Sequence, residues 1–376
     1  MFTTRRADAQ NPLVLAIDVG STGTRAGVYD ARGLPLRNSK TKVQHAFTTL
    51  NDGTSTIDPD QVADEIRRCI NFCTDAVGAP IAGVAIDTFA SSLVGVDADG
   101  RAITPCYTYA DSRCAPQVNY LRSILDEDDT QQRTGTRQHT GYLPPRFLWL
   151  QQTDPDTFGR VRRWMSLGEY AWLRLIGRTA AGTSTADWTG MLNRRRGRWD
   201  AELCALVGVQ LEQLSPIAPP DDPLTPRASV GERSTGWVGQ ARAVFHRVTA
   251  ATTPLELYRG TIEGVAFSYQ RILRDLTQVT GRPREILGTG RVSNSLPGLL
   301  QIVADASGAP VTPITIKRST MHGTALMALE TLAPGVERAE VDRGATFTPV
   351  PDRSGYYHRR MERFQVLYDK VISAAN

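Results

Sequence analysis

The stretch Leu13-Val14-Leu15-Ala16-Ile17-Asp18-Val19-Gly20-Ser21-Thr22-Gly23-Thr24-Arg25 decides the reading of this chain. Its first half is a near-continuous apolar run that ends in an acid and a glycine. Such a run suits a strand buried on both faces at the centre of a sheet. Small hydroxyl residues and glycine then make a turn, and Arg25-Ala26-Gly27-Val28-Tyr29 reads as a second strand. Asp30-Ala31-Arg32-Gly33 supplies turn chemistry, and Leu34-Pro35-Leu36 starts a third strand. The chain therefore opens on an antiparallel meander whose first turn carries Asp, Ser and Thr.

That turn suits phosphate and Mg2+. Backbone amides and hydroxyls can bond phosphate oxygens, and Asp18 at the strand end can hold a metal or its water. It is no Walker loop, because Gly-Lys-Ser/Thr is absent, and no Rossmann loop, because a hairpin follows rather than a helix. An ordinary β-turn uses the same residue types, so the pattern alone leaves both readings open.

Working outward, Asp58 can cap a helix with Pro59 in its first turn and an apolar stripe Val62, Ile66, Cys69, Ile70 and Cys73. Val84–Asp87 is a strand. Leu93–Val96 and Arg101–Thr104 flank the turn Asp97-Ala98-Asp99-Gly100 and form a further hairpin, so that the first domain should hold a five-stranded mixed sheet. Helical patterns follow at Gln117–Leu125 and Leu167–Ile176. Between Ala218 and Pro226 stand four prolines in nine residues, a linker composition. Beyond it, Pro254–Val279 is a long amphipathic helix. Glu285–Leu287 and Val311–Ile314 are short strands, and Leu299–Ala306 and His322–Leu332 are helices. These elements predict two α/β domains, 12–217 and 231–376, joined by the linker 218–230.

Composition narrows the function. The 376 residues leave room for two ordinary domains, and 41% hydrophobic with 22% charged residues is a globular balance. A net charge of +4 is too mild to imply nucleic acid or an anionic membrane as partner. Arg194, Arg195, Arg196 and Arg198 read as a solvated turn. No apolar run is long enough for a membrane span, and Met1–Gln10 has no apolar core of a secretion signal, so a cytoplasmic protein is expected. Cys69, Cys73, Cys106, Cys114 and Cys204 complete no zinc pattern and read as buried reduced thiols.

Asp18-Val19-Gly20-Ser21-Thr22-Gly23-Thr24-Arg25 resembles the first phosphate motif of the FGGY carbohydrate kinases, within the actin/hexokinase ATPase superfamily. Further motifs run colinearly from about residue 13 to 330. Tyr109-Ala110-Asp111-Ser112-Arg113 looks like the family's sugar-site Trp-Ala-Asp-x-Arg. Arg133-Thr134-Gly135, His139, Tyr142–Pro145, Trp164–Tyr170 and Thr189–Leu192 resemble the substrate-domain stretches of gluconokinase-like members. Gly231-Glu232-Arg233-Ser234 with Trp237, Arg259 with Glu263–Phe267, Gly288-Thr289-Gly290, Gln301 with Ala304-Asp305, and Gly323–Leu326 resemble the motifs of the second half.

The resemblance implies a two-domain actin/hexokinase-like (ribonuclease H-like) α/β fold. It also implies transfer of the ATP γ-phosphate to a hydroxyl of a small sugar or sugar acid of the gluconate or xylulose class. It places Mg2+ at Asp18, and phosphate or nucleotide at Gly20, Ser21, Thr22, Thr24, Arg25, Gly288, Thr289 and Gly290. Substrate falls at Tyr109, Asp111, Arg113 and His139. Two lone features have bland alternatives: Asp111 with Arg113 as a surface ion pair, and His139 as a structural histidine. Trp149, Trp164 and Trp172 read as core.

The chain departs from the family in one large respect. Members carry, before Gly-Glu-Arg, a segment with a second phosphate loop and a Gly-Asp whose carboxylate is the general base; here only Ala218–Val230 intervenes. Asp221 and Asp222 lie there without the flanking glycines and strand. No catalytic base is therefore assigned; Asp87 and Asp111 are the nearest carboxylates by motif position. The second domain reads as truncated, with apolar faces that a homodimer could cover. Ala90-Ser91-Ser92-Leu93 stands where gluconokinase-like relatives often carry Trp-His before Ser-Leu, and Thr289 and Arg291 add bulk to the adenosine motif. The alternative is a non-catalytic relative that binds sugar or nucleotide, or docks a protein. A chaperone-type ATPase of the superfamily fits less well, because the sugar-site segment is present.

Overall fold

Residues 2–218, 227–229, 244–246, 248–249 and 251–375 are described by a computed structural model. Asp221, Asp222, most of the proline-rich linker, the segment Gly231–Ser234 and Trp237 lie outside the described residues. The chain divides into two units, Thr3–Gly231 with Thr320–Ala339, and Glu232–Ser319 with Glu340–Asn376.

The first unit is built around strand β1, Val14–Gly20. It pairs antiparallel with β2, Gly23–Tyr29, and parallel with β4, Gly83–Phe89. Strand β3, Thr41–Gln44, pairs antiparallel with β2, and Arg227–Ser229 adds a parallel strand beyond β4. β1 is therefore the middle of five strands, as its apolar run requires. Its side chains alternate. Leu15, Ile17 and Val19 face Val62, Ile66, Cys69 and Cys73 of helix α1, Pro59–Val77, together with Leu167 and Tyr170. Val14 and Ala16 face Met321, Ala325 and Leu329 on the opposite side.

α1 forms as its sequence indicates. The Asp58 carboxylate accepts from the N–H groups of Asp60 and Gln61, Pro59 fills the first turn, and Gly78 ends it at φ 55°. The helices Ala115–Ile124, Leu167–Ile176, Pro254–Thr280, Pro297–Ser307 and Ser319–Leu332 stand where the patterns put them.

Four expectations are corrected. The third strand is Thr41–Gln44, not Leu34–Leu36: Pro35 has no N–H for the ladder, and Ser39 Oγ takes the Val28 N–H instead. The hairpin at 93–104 stays out of the main sheet; Val94–Val96 pairs with Arg163–Met165 and touches Ala102 by a single bridge. The fifth strand comes from 227–229, past the expected boundary at 217. Helix Ser319–Leu332, expected in the second domain, packs on the first sheet, because Met321, Ala325 and Leu329 repeat every four residues and fit over Val14 and Ala16.

In the second unit, Ile286–Gly288 and Val311–Pro313 form a parallel pair connected through helix Pro297–Ser307. A long C-terminal helix, Pro351–Ala375, went unread in the sequence. The buried Glu263 carboxylate ties it to Pro254–Thr280, receiving Arg259 at 2.9 Å and Arg360 at 2.5 Å. All five cysteines are buried and free. Burial pushes the thiols up, to about 11 for Cys69 and Cys114 and about 12 for Cys73, Cys106 and Cys204. Among the described residues no helix is long and apolar enough to cross a membrane.

Gly23 is where the meander closes most tightly. Its φ is +147°, and a Cβ there would lie 2.4 Å from the Val43 carbonyl oxygen of β3. Gly23→Ala must push β3 away, and is expected to lower the unfolding free energy by about 2 kcal/mol or more. Urea unfolding of the two proteins, compared at equal m-value, measures this.

Candidate active site

Asp18 stands at the C-terminal end of β1, and the turn Ser21-Thr22 carries the chain into β2. The pairing register sets Arg25 beside Asp18, with the guanidinium Nη1 at 3.4 Å from Asp18 Oδ2 and Nη2 at 3.4 Å from Thr22 Oγ1. On the other side, the parallel register pairs Asp18 with Asp87 of β4. Paired residues of neighbouring strands share a face of the sheet. Two buried carboxylates therefore sit side by side at the carboxyl ends of two parallel strands. Ligands of open α/β sheets bind at such ends.

Among the described residues no group of three or more His, Cys, Asp or Glu side chains gathers to hold a metal. Mg2+ needs no such cage: it keeps several waters and takes one or two carboxylates with substrate phosphates. The hard oxygen donors of Asp18 and Asp87 fit that demand.

The turn is held from behind by buried groups that the sequence did not single out. Thr24 Oγ1 donates to Glu65 Oε2 at 2.8 Å, and His45 bridges Glu65 Oε2 at 2.7 Å and the Gly20 carbonyl at 2.8 Å. Thr24 was expected at the phosphate; it is fully buried with its hydroxyl committed to Glu65, so it supports the hairpin from inside.

The segment Tyr109–Arg113 connects to the end of β4 through an aromatic trio. Phe89 closes β4, and its ring lies 5.1 Å from Phe47 and 6.2 Å from Tyr109, with Phe47 and Tyr109 6.3 Å apart. Two residues on, Asp111 is buried. Its carboxylate accepts the Ser55 N–H at 3.0 Å and holds Arg113 through Nε at 3.1 Å and Nη2 at 2.6 Å. The Arg113 guanidinium lies over the Trp149 ring, 4.4 Å from its centre. Burial works against the Arg113 charge, but Asp111 outweighs it and leaves the pKa above the usual arginine value. Trp149, read as core, is half-buried and serves as the platform under Arg113, whereas Trp164 and Trp172 are buried in the core as expected.

Asp111 and Arg113 are thus one preformed unit. The carboxylate has spent most of its lone pairs on Ser55 and Arg113, and Arg113, with a side chain 22% exposed, is the member turned toward solvent. Behind it, Arg146 is wholly buried and donates to the carbonyls of Ser91, Tyr107, Thr108 and Thr140, so burial pulls its pKa down. These bonds fix the backbone on which Tyr109 follows. His139 Nδ1 accepts the Gly141 N–H at 3.0 Å, and its ring lies beside Tyr142.

Gly288, Thr289 and Gly290 belong to the second unit. Gly288 ends the strand Ile286–Gly288, and Thr289 and Gly290, the latter at φ 94°, lead into the short helix Arg291–Ser295. The Thr289 carbonyl accepts Ser293 Oγ, and the Gly288 carbonyl accepts the Ile314 N–H. Nearby, Asp305 accepts Gln301 Nε2 and the Val350 N–H, a structural role that fixes the entry to the C-terminal helix.

Comparison with known proteins names this arrangement. The model of the N-terminal domain of the FGGY family of carbohydrate kinases matches residues 13–223, and that of the C-terminal domain matches 168–331. The chain belongs to the FGGY family of carbohydrate kinases. Its two-domain actin/hexokinase-like fold is the one expected from the sequence. Gluconate kinase from Lactobacillus acidophilus superimposes with a TM-score of 0.86 at 18% identity, over 96% of this chain and 99% of that one. Among curated relatives, a gluconokinase of Bacillus licheniformis is 22% identical over 207 residues, 55% of this chain and 40% of the relative. An autoinducer-2 kinase of Klebsiella pneumoniae is 27% identical over 210 residues, 54% of this chain and 39% of the relative. The chain spans about two fifths of the length of the curated relatives it matches.

Asp111→Asn tests the preformed unit. It removes the charge that holds Arg113 and weakens the acceptor of the Ser55 N–H, and should cost about 2 kcal/mol in urea unfolding. Trp149 fluorescence should shift as the guanidinium leaves the ring.

Proposed function

We propose that this FGGY-family chain binds Mg·ATP and a small sugar or sugar acid of the gluconate or xylulose class. We further propose that its phosphotransfer runs far below that of a relative carrying the Gly-Asp segment. One observation carries the reading: the Asp18–Asp87 carboxylate pair and the Ser21-Thr22 turn stand at the same end of one sheet as Phe89, whose ring packs with Phe47 and Tyr109.

In this reading Asp18 and Asp87 hold Mg2+ or its waters. The hydroxyls of Ser21 and Thr22, the backbone N–H groups of the turn and Arg25 meet phosphate oxygens. The bound metal neutralises charge on the phosphates. Gly288, Thr289 and Gly290 receive the adenosine end, their short turn letting a ligand approach the backbone. Tyr109 offers an aromatic face to the sugar, and Arg113 offers its guanidinium edge to a carboxylate or a hydroxyl pair. His139 donates from the rim. Cytoplasmic placement agrees with five reduced thiols.

The low turnover follows from what a kinase needs. General-base assistance is worth about 10²–10⁴-fold, and a second set of donors around the transferring group adds to it. Asp111 is committed to Arg113 and Asp87 to the metal, so this reading assigns neither of them as the base. Calorimetry should give Mg·ADP binding that Asp18→Ala abolishes. ADP release over gluconate, xylulose, ribulose and glycerol should fall at least about 100-fold below an intact family member. Equal nucleotide affinity of the two proteins overturns the phosphate site, and turnover equal to the relative's overturns the low-activity reading. Ligand binding with no ADP release selects a non-catalytic binding protein.

A second observation favours self-association. On helix Pro254–Thr280 the apolar residues Leu255, Tyr258, Ile262, Val265, Tyr269, Ile272, Leu276 and Val279 alternate by three and four. None of the eight is buried, and Leu255 and Val279 are 74% and 87% exposed. That spacing is the seam of a two-helix coiled coil, which a second copy of the same helix complements. Its length, about 40 Å, suits the roughly 800 Å² per partner of a standard interface. Light scattering on a sizing column should report a dimer, and Val265→Glu with Leu276→Glu a monomer. A monomeric wild type rejects this surface.

A further inference from the structure

His45 and Glu65 are the most enclosed titratable pair near the phosphate turn, with side chains 0% and 1% exposed. His45 Nδ1 lies 2.7 Å from Glu65 Oε2, and His45 Nε2 lies 2.8 Å from the Gly20 carbonyl oxygen. A carbonyl oxygen only accepts, so Nε2 carries a hydrogen. Glu65 also accepts Thr24 Oγ1 at 2.8 Å on Oε2 and Gln61 Nε2 at 2.9 Å on Oε1.

We propose that His45 is a positioning residue for the phosphate turn: a buried imidazole, held at Nδ1 by Glu65, that donates from Nε2 to the Gly20 carbonyl and thereby aims the Ser21 N–H at the ligand. The peptide between Gly20 and Ser21 is planar and trans, so its C=O and N–H point in opposite directions. With the carbonyl drawn to His45, the Ser21 N–H is directed away from the protein interior, toward the phosphate side. The same Glu65 oxygen holds Thr24 on the far strand of the hairpin, so one carboxylate secures both limbs of the turn. His45 also stacks against Phe47, 6.4 Å between ring centres, and Phe47 belongs to the aromatic trio beside Tyr109. The phosphate side and the sugar side are therefore braced by neighbouring residues of one segment. This assignment rests on the phosphate reading of the turn only for its effect on nucleotide.

The experiment has two arms on the full-length protein. The first is long-range ¹H–¹⁵N NMR of the wild-type histidines at pH 7, with His45 assigned through His45→Gln. His45 Nε2 should carry a hydrogen and show the protonated chemical shift. A lone pair on His45 Nε2 in the wild type overturns the anchor to the Gly20 carbonyl, whether or not any variant folds. The second arm measures Mg·ADP affinity by calorimetry. His45→Gln should bind about tenfold more weakly, the size of one lost charge-assisted bond, and its Ser21 amide resonance should move. Unchanged affinity together with an unmoved Ser21 amide overturns the positioning role. Failure of the wild type to bind Mg·ADP rejects the phosphate reading and leaves the NMR arm to decide the geometry.

Discussion

Everything in the first unit depends on the burial of β1 on all sides. Strands β2 and β4 take its two edges, α1 covers one face, and helix Ser319–Leu332 covers the other. A strand so enclosed meets solvent only at its ends. Its carboxyl end is where Asp18 and Gly20 stand, and where the chain turns through Ser21 and Thr22. Polar chemistry is thereby confined to one edge of the sheet, and the neighbouring parallel strand delivers Asp87 to the same edge by register alone.

The hairpin that leaves this edge needs rigidity that a short turn does not supply by itself. Gly23 lets β3 pass against β2 with no Cβ between them. Glu65, reaching from α1, and His45, just after β3, then hold the turn from its inner side. Both act by placing backbone groups: their side chains are buried. The segment Tyr109–Arg113 follows the same logic. Arg146 spends its donors on four carbonyls, and Asp111 fixes Arg113 over Trp149 before any ligand arrives. Groups arranged in advance cost little reorganisation on binding.

The second unit shows a different balance. Its described residues contain a two-stranded parallel pair with long helices, and helix Pro254–Thr280 carries an apolar stripe that remains exposed. An amphipathic helix of that length gains most of its stability by burying such a face.

Local chemistry made much of this legible from the amino-acid order. The apolar run before Asp18 marked a central strand, Asp58-Pro59 marked the start of α1, and the stripe from Val62 to Cys73 marked its buried face. Each of those signals is carried by residues within one or two turns of each other. The colinear motifs identified the family for the same reason. What the order did not disclose depends on contacts across long separations. The pairing of Asp18 with Asp87 follows from a parallel register, and the bond of Glu65 to Thr24 spans 41 positions. The third strand moved to Thr41–Gln44 because Pro35 interrupts the ladder, and helix Ser319–Leu332 joined the first unit because Val14 and Ala16 left a face for it. His45 carries no local mark of function: a lone histidine in a polar stretch acquires its role only when folding brings a carboxylate to one ring nitrogen and a carbonyl to the other.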